Sequence, residues 1–415
     1  MRTSRPVIAL LAFALVLPLA AYAAPAVVEG ARLALAPARV GAPDPLEWPA
    51  GVVSGGAEPT IVADKFGKYL WIGDTSGIRR SANNGSSWTF LRPFDHASVF
   101  GDGWTIAQDD AGTLYVATTR GPNLIFSASR DGGTTWFNAN PALDVAPIAD
   151  RPWLAARGQG EVILLQNAWP IAETCARSVD GGATWIERDP LGVGNPIAGA
   201  IAYDNAGYVY WAEETGTIIR GRTCLGQWLK TTPFHSTIRP GYQLAVSTDG
   251  TSAYVAASRA VAGSPASFGP PVVGGVNWTN LLNPARKQLV LDHPEVVTSV
   301  FATVSAIEDE VAVAYYGSST PGDPQHRNYE GNWHVYVARI KNFWSATPTI
   351  TIARVVTNMH NGEICMAGTT CTSTDRDLLD YFGIDHDVYG KLHVAYGYDW
   401  GISGSQVRHL VLPDL

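Results

Sequence analysis

The chain has 415 residues and a formal net charge of −8, and only 16% of its residues are charged. The negative balance and the lack of a basic stripe argue against nucleic acid as a partner. This length exceeds an average single domain unless the chain is built from repeats. No long stretch has apolar residues at helical spacing. Forty-two glycines and 14 tryptophans against three methionines favour an all-β protein.

The first residues resemble an export signal. Arg2 and Arg5 precede an apolar run from Val7 to Ala20, and Ala21-Tyr22-Ala23 forms a small-x-small cleavage site. These features predict a cleaved signal peptide over residues 1–23, because the run is short for a membrane span. The alternative is a retained N-terminal anchor. We expect a secreted or periplasmic monomer with no membrane span after signal cleavage.

Three segments of eight residues align without gaps and share the pattern Ser-x-Asp/Asn-x-Gly-x-x-Trp. They are Ser81–Trp88, Ser129–Trp136 and Ser178–Trp185, and their tryptophans recur at intervals of 48 and 49 residues. A fixed period of this size indicates a solenoid, propeller or array. Asp or Asn can cap a tight turn, Gly supplies the positive φ, and Trp fills space between repeats.

A second repeated signal is an Asp/Gly turn followed by an apolar strand, which is typical of the first hairpin of a propeller blade. It occurs at Asp110–Ala117, Asp204–Trp211, Asp249–Ala256 and Asp387–Ala395. Three of these copies lie outside the blades that carry the Trp pattern, so the repeat extends along most of the chain.

These signals divide the chain into seven units, and we expect a single closed β-propeller of four-stranded blades over residues 58–415. The inner strands are predicted to begin near Pro59, Trp104, Pro152, Pro196, Tyr242, Val297 and Tyr381. The last unit ends after three strands, so a strand from the N-terminal segment, residues 24–57, would complete it, within Ala31 to Val53. Such closure removes an exposed sheet edge. The alternative is six blades, with one weak unit as an insertion.

The four cysteines of an exported chain suggest two disulfides. Cys365 and Cys371 are close enough in sequence to close a small loop, which leaves Cys175 and Cys224 to join neighbouring repeats. Four cysteines allow three pairings, so the connectivity stays open at this point. The cysteine and histidine spacings do not match a metal site, and we expect no metal or cofactor.

The Ser-x-Asp/Asn-x-Gly-x-x-Trp pattern resembles the Asp box, or BNR repeat, of sialidase-like β-propellers. The resemblance covers roughly Glu58 to the C-terminus, and Asp150–Ala155 and Cys365–Phe382 also resemble bacterial sequences grouped with that family. In the family the box joins the third and fourth strands of a blade, away from the catalytic face. The resemblance therefore implies a structural role for Asp131 and Asp180.

The catalytic residues of sialidases can be compared with this sequence. Sialidases hold the substrate carboxylate with three arginines, use a Tyr paired with a Glu as nucleophile, and use an Asp as acid/base. Their first arginine lies in an Arg-Ile/Leu-Pro motif before the first Asp box, where this chain has Glu58-Pro59-Thr60. Sialidases also have six blades. Both departures argue against true exo-sialidase activity.

The functional face of a propeller carries the starts of the inner strands and the loops between second and third strands. Arginines there could bind a carboxylate, tryptophans could stack on sugar rings, and a carboxylate pair or an activated tyrosine could cleave a glycoside. The residues assigned to substrate binding are Arg120, Arg151, Arg259, Asp150, Trp104, Trp169 and Trp400, and those assigned to catalysis are Tyr381, Asp380, Glu213 and Glu214. The alternative is that these groups are solvated, with Arg151 simply paired to Asp150.

Two functions from different classes remain. One is a secreted carbohydrate-active enzyme, a glycoside hydrolase or polysaccharide lyase that acts on an anionic glycan. The other is a non-catalytic propeller that recognises a glycan or another protein, because a fold does not determine a function.

Overall fold

The computed structural model describes residues 50–94, 103–120, 123–143, 149–168, 172–190, 199–225, 228–239, 244–366 and 376–413. Within these residues every regular element is a β-strand, and the strands form seven antiparallel sheets. The sheets are arranged in a ring, which makes the chain a seven-bladed β-propeller. The predicted fold class and the favoured blade number are confirmed.

The first three blades follow one another along the chain, each as four consecutive strands. Blade 1 contains β2 (Thr60–Ala63), β3 (Leu70–Asp74), β4 (Gly77–Ser81) and β5 (Thr89–Leu91); blade 2 contains β6 (Thr105–Gln108), β7 (Leu114–Arg120), β8 (Asn123–Ser129) and β9 (Phe137–Leu143); blade 3 contains β10 (Ala149–Arg157), β11 (Glu161–Ala168), β12 (Ala172–Ser178) and β13 (Glu187–Pro190).

The next three blades continue this pattern, except that the inner strand of blade 5 is in two pieces that both pair with β20. Blade 4 contains β14 (Ala202–Tyr203), β15 (Val209–Ala212), β16 (Ile218–Gly221) and β17 (Leu229–Thr231); blade 5 contains β18 (Ile238–Arg239), β19 (Val246–Thr248), β20 (Ser252–Val261), β21 (Ser264–Asn277) and β22 (Ala285–Val290); blade 6 contains β23 (Thr298–Ile307), β24 (Glu310–Ser318), β25 (Asn332–Lys341) and β26 (Thr349–Asn361).

Blade 7 is built from both ends of the chain. Its strands β27 (Gly383–His386), β28 (Leu392–Tyr398) and β29 (Gln406–Leu412) are completed by β1 (Gly51–Ser54), which pairs antiparallel with β29. The predicted closing strand therefore exists, at the C-terminal limit of the range expected for it. The predicted signal peptide, residues 1–23, lies outside the described residues.

The inner strands surround the axis, and we call the end where they begin the upper end and the opposite end the lower end. Turns between first and second strands lie at the lower end and are capped by an aspartate. Asp204 and Asp249 each accept a hydrogen bond at 2.6 Å from a tyrosine hydroxyl of the following strand, Tyr210 and Tyr254. In blade 2 the capping residue is Asp109, one position before the predicted Asp110, because the Asp109 carboxylate accepts the backbone N–H groups of the turn.

The three Ser-x-Asp/Asn-x-Gly-x-x-Trp segments form turns between the third and fourth strands of blades 1, 2 and 3. In the second of them Asp131 Oδ1 accepts the N–H of Thr135 at 2.8 Å, and Ser129 Oγ accepts the N–H of Gly133 at 2.7 Å. Desolvation raises the pKa of Asp131, but the hydrogen bonds from Thr135 and Ser129 outweigh it and lower the pKa to about 2. The Asp131 carboxylate therefore stays charged and stabilises its turn.

The tryptophans of these turns differ in burial. Trp185 is 8% exposed and packs edge-on against Phe126, with 5.2 Å between ring centroids, in the core between blades 2 and 3. Trp136 and Trp88 are only half-buried, so the predicted burial between blades holds fully for Trp185 alone among the three.

The disulfide between Cys175 and Cys224 is confirmed, with 5.4 Å between the α-carbons. It joins β12 of blade 3 to the segment after β16 of blade 4. Cys365 is also disulfide-bonded, and its predicted partner Cys371 lies outside the described residues. In the described part of the chain, no helix has the length and apolar character that a membrane crossing needs.

We expect Trp185→Ala to lower the free energy of unfolding by about 3–5 kcal/mol, the usual cost of removing a buried aromatic side chain. Trp136→Ala is the matched control at the equivalent turn position, and it should cost clearly less because that ring is half-buried. Chemical denaturation of both variants measures the difference. Equal losses would contradict the packing described for the two rings.

Two buried histidines stack in the closing blade. His393 Nδ1 lies 3.1 Å from His409 Nε2, and His393 Nε2 lies 3.3 Å from an oxygen of Asp387. Trp88 of blade 1 covers His409, with 5.3 Å between ring centroids. Burial, and then the neighbouring His393, lower the pKa of His409 to about 3.

Acid should therefore loosen the closing blade. The histidine takes up a proton below about pH 6.5 in the unfolded chain, but only near pH 3 in the folded protein. The free energy of unfolding therefore decreases by about 1.4 kcal/mol for each unit that the pH falls between these values. His409→Gln should flatten the fall between pH 7 and pH 4.5, measured by chemical denaturation. Other groups whose titration makes stability rise as the pH falls are present in both the parent and the variant, so their effect cancels when the two pH profiles are compared. Parallel pH profiles would show that His409 does not titrate as described.

Candidate functional site

A channel of about 560 Å³ runs along the propeller axis. Its wall comes from the inner strands of all seven blades, with Thr60, Thr105 and Trp153 on three of them and Tyr381 just before β27. Because each inner strand contributes only a few residues, positions far apart in sequence face each other across the channel. The upper end of the channel is the place where the predicted functional residues should meet.

The backbone is strained at the upper end. Glu58, Arg151, Phe301 and Leu379 all have φ between 49° and 56°, a conformation that non-glycine residues rarely adopt. Each lies at or just before the inner strand of its blade, and the pairing register shifts beside Arg151 and beside Phe301. Strain of this kind persists only where the surroundings enforce it, and it clusters at functional sites.

Two guanidinium groups converge on one carboxylate at the upper end. Arg151 Nη2 and Arg376 Nη2 both donate to Oδ2 of Asp380, the latter at 3.1 Å. The Asp380 side chain is fully buried, while Asp150 lies beside Arg151 at 3.9 Å and is about half exposed. Arg376 also donates to the carbonyl oxygen of Cys365 at 3.3 Å. The Arg151, Arg376 and Asp380 cluster therefore has two guanidinium groups around one buried carboxylate, with the partly exposed Asp150 carboxylate at its edge.

Tyr381 follows Asp380 directly and lines the channel, with its ring 5.0 Å from that of Trp153. Its hydroxyl lies against Gly103, where any β-carbon would overlap it. Glu58 flanks the same glycine: it is 3% exposed, and its Oε2 accepts the Gly103 N–H at 3.4 Å. The structure thus brings the Tyr381 hydroxyl and the Glu58 carboxylate to one small residue.

Glu58 was not predicted as a site residue, although it stands in the sequence where a sialidase has an arginine. Glu58 could have been predicted from its position just before the inner strand of blade 1, because Arg151 was predicted from a position of the same kind in blade 3.

Three other predicted residues lie apart from this cluster. Glu213 forms a salt bridge of 2.5 Å with Lys230 of β17, the outermost strand of blade 4. Its neighbour Glu214 is half-buried, and burial raises the pKa of its carboxyl group. Arg259 is partly exposed and lies 3.9 Å from Asp292. None of the three is among the described residues that line the channel, and neither are Arg151, Arg376 and Asp380; of the predicted catalytic residues, Tyr381 lines it.

The predicted stacking residues have different surroundings. Trp104 is buried in the core between blades 1 and 2, so its ring is covered. Trp400 is half-buried in the loop after β28, with its backbone N–H bonded to the carbonyl oxygen of Met359. Trp169 and the side chain of Arg120 lie outside the described residues.

A polar network lines the channel below Tyr381. Asp385 accepts the N–H of Ala63 at 2.9 Å, and desolvation in the channel wall raises the pKa of Asp385 to about 6. Ser305 Oγ lies 2.9 Å from His386 Nδ1, and His386 Nε2 lies 3.2 Å from Glu310. The network joins blades 6, 7 and 1. No cluster of three or more His, Cys, Asp or Glu suited to a metal ion was found among the described residues.

No family model and no curated protein matches the chain. Its fold does match solved structures. The GH74 enzyme of Niastella koreensis superposes with a TM-score of 0.54 at 16% identity, covering 86% of this chain and 55% of that one. YCF48 from Cyanidioschyzon merolae superposes with a TM-score of 0.53 at 11% identity, covering 87% and 98%.

These likenesses concern the propeller alone. At such low identity a shared fold does not transfer the role of any residue, and the chain spans about half the length of the GH74 enzyme. A GH74 enzyme and YCF48 both superpose on this propeller, so the fold does not determine the function of the chain.

We expect Asp380→Ala to lower the free energy of unfolding by about 3–5 kcal/mol, because it removes the buried carboxylate that Arg151 and Arg376 share. The control is Asp292→Ala, which removes the carboxylate partner of partly exposed Arg259 and should cost less than about 1 kcal/mol. Urea denaturation measures both. A small loss for Asp380→Ala would mean that the buried ion pairs do not hold the upper end together.

Proposed function

We propose that the chain is a secreted, sialidase-like propeller that binds an anionic glycan at the upper end of its channel and cleaves it as a glycoside hydrolase or lyase. The observation that carries this proposal is the convergence of Arg151 and Arg376 on Asp380, directly beside the channel-lining Tyr381. Two guanidinium groups gathered beside a channel-lining tyrosine suit a ligand that carries a carboxylate.

The arginines supply recognition. A guanidinium group offers several N–H donors in a fixed plane and binds carboxylates in bidentate fashion. Asp380 uses one oxygen to hold both groups, and the partly exposed Asp150 lies 3.9 Å from Arg151. In this proposal a uronate or sialate carboxylate accepts hydrogen bonds from the same guanidinium groups. We assign Asp380 to positioning the arginines rather than to acid/base catalysis, because it is fully buried and bonded to both of them.

Tyr381 supplies the reactive group. Because its hydroxyl and the Glu58 side chain both lie beside Gly103, we assign Glu58 as the base that takes the phenol proton when the hydroxyl acts as nucleophile or base. Trp153 packs against the tyrosine ring, with 5.0 Å between ring centroids. This Tyr and Glu neighbourhood, together with the Asp turns between third and fourth strands, supports the sialidase-like assignment.

Export and domain organisation complete the proposal. The Cys175–Cys224 disulfide favours an oxidising compartment, in agreement with the signal peptide proposed for residues 1–23. We further propose that residues 24–57 form a segment whose end supplies β1, and that residues 58–415 form the remainder of the propeller.

The second candidate is a non-catalytic binding propeller. Two observations favour it: Trp104, proposed to stack on a sugar, is buried in the core, and Arg151 is already engaged with Asp380. A binder would still use the arginines for an anionic ligand but would need no reactive tyrosine. The two candidates therefore differ in what the Tyr381 hydroxyl does.

One pair of variants separates these candidates. Binding of sialyllactose and trigalacturonate is measured by calorimetry, and cleavage is followed by chromatography. Arg151→Ala should weaken binding by about 2–5 kcal/mol, the cost of removing one partner of a desolvated charge pair. Tyr381→Phe keeps the ring, so it should leave binding nearly unchanged and abolish cleavage.

The control variant is Arg259→Ala, which removes an arginine that lies beside Asp292 rather than in the cluster. It should bind and cleave like the parent. Unchanged cleavage in Tyr381→Phe would exclude the catalytic role of its hydroxyl. Binding without any cleavage by the parent would establish the binding propeller. No binding of either acidic sugar would exclude an anionic glycan site of this kind.

A further inference from the structure

Two turns at the lower end of the channel share an unusual sequence. The turn between the first two strands of blade 1 is Asp64-Lys65-Phe66-Gly67-Lys68, and the corresponding turn of blade 7 is Asp387-Val388-Tyr389-Gly390-Lys391. Both have the order Asp, any residue, aromatic, Gly, Lys. Blades 2 and 4 form the same turn with alanine, Ala111 and Ala206, at the aromatic position. The turn itself therefore does not require an aromatic ring.

The turn geometry places this position toward solvent. Asp64 and Asp387 each accept the N–H of the residue four positions later, at 2.9 Å, and each glycine N–H closes the turn onto the aspartate carbonyl oxygen. The aromatic residue occupies the outer corner. Phe66 is 62% exposed and Tyr389 is 69% exposed, among the largest values for aromatic side chains in the described residues.

The two rings stand one blade apart, each against the turn of the next blade. Tyr389 and Val388 lie over Gly67, where an added β-carbon would be 2.9 Å from either side chain. Phe66 lies in the same way over Gly112, at 3.1 Å from such an atom. Glycine at the fourth turn position thus supports the ring of the preceding blade, and blades 7, 1 and 2 form a continuous surface.

The surroundings of the rings combine apolar and polar groups. Lys65 and Asp110 form an exposed ion pair of 2.7 Å at the lower end of the channel, and Lys68 and Lys391 follow the two glycines and are exposed. An aromatic face packs against the C–H groups of a pyranose ring, while neighbouring charged groups can bond its hydroxyls. A stable protein interface needs about 800 Å² on each partner, much more than two rings and a valine provide.

We propose that Phe66 and Tyr389 form a stacking platform for a neutral oligosaccharide at the lower end of the propeller. This platform is distinct from the upper site and does not depend on it: Tyr381 lies just before β27 and Tyr389 lies just after that strand. Its ligand class differs as well, because stacking on two aromatic rings selects pyranose faces rather than a carboxylate.

The test uses the full mature chain and three neutral hexasaccharides, those of cellulose, xylan and mannan, with binding followed by saturation-transfer NMR and calorimetry. At least one should bind. Phe66→Ala, Tyr389→Ala and the double variant should lose affinity, the double variant by about tenfold or more. Phe66→Tyr and Tyr389→Phe keep the rings and should keep binding.

Two matched controls make the result specific. Leu282→Ala removes an apolar side chain that is 98% exposed on another blade and should leave binding unchanged. Arg151→Ala disrupts the upper site and should also leave it unchanged. Melting curves confirm that each variant folds, and Phe66→Leu or Tyr389→Leu, which also remove the ring, replace any alanine variant that does not. The proposal is overturned if no hexasaccharide binds the parent, if the double alanine variant binds as tightly as the parent, or if Arg151→Ala loses the neutral sugar.

Discussion

The pairing of β1 with β29 is the interaction on which the rest of the propeller depends. A ring of sheets keeps an open edge until its last blade is complete, and an open edge exposes a row of unpaired backbone groups. Here Gly51 lies opposite His409 and Val52 opposite Arg408, so the two ends of the chain share one sheet. Of the seven described sheets, this is the one assembled from distant parts of the chain.

Both proposed sites use that closing blade. Asp380 and Tyr381 precede its inner strand, and Tyr389 follows it. The buried histidine pair His393 and His409 lies within the same sheet, against Trp88 of blade 1. The blade that depends on closure therefore supplies functional groups at each end of the channel, and conditions that weaken closure should affect both ends together.

The two ends differ in their physical character. The upper end concentrates charge in a place of low exposure, where Asp380 must hold Arg151 and Arg376 because buried ions are costly without partners. Its backbone is strained at Arg151 and Leu379. The lower end is built from relaxed, repeated turns whose aspartates satisfy the backbone. An aromatic side chain at the exposed corner of such a turn needs no change in the hydrogen bonds of the turn. Turns of this kind can therefore take on a binding role while the blade keeps its structure.

Several features could be predicted from the sequence because they are local. Asp131 bonds residues three and four positions away, and Ser129 and Gly133 complete the same turn. The repeated turns then imply the blade count, and the need to close the last blade implies a strand such as β1. The Cys175–Cys224 bond follows from the neighbouring positions of two repeats.

The candidate site was decided by tertiary structure. Arg151 and Asp380 are 229 positions apart, and only the tertiary structure brings them together and places Tyr381 and Glu58 on either side of Gly103. Glu213 was predicted to act together with Asp380 as part of a carboxylate pair, yet it pairs with Lys230 at the outer edge of its blade. Hydrogen bonds within a turn span a few residues and leave a pattern in the sequence. Contacts across the channel depend instead on how seven strands converge, and no spacing along the chain encodes that convergence.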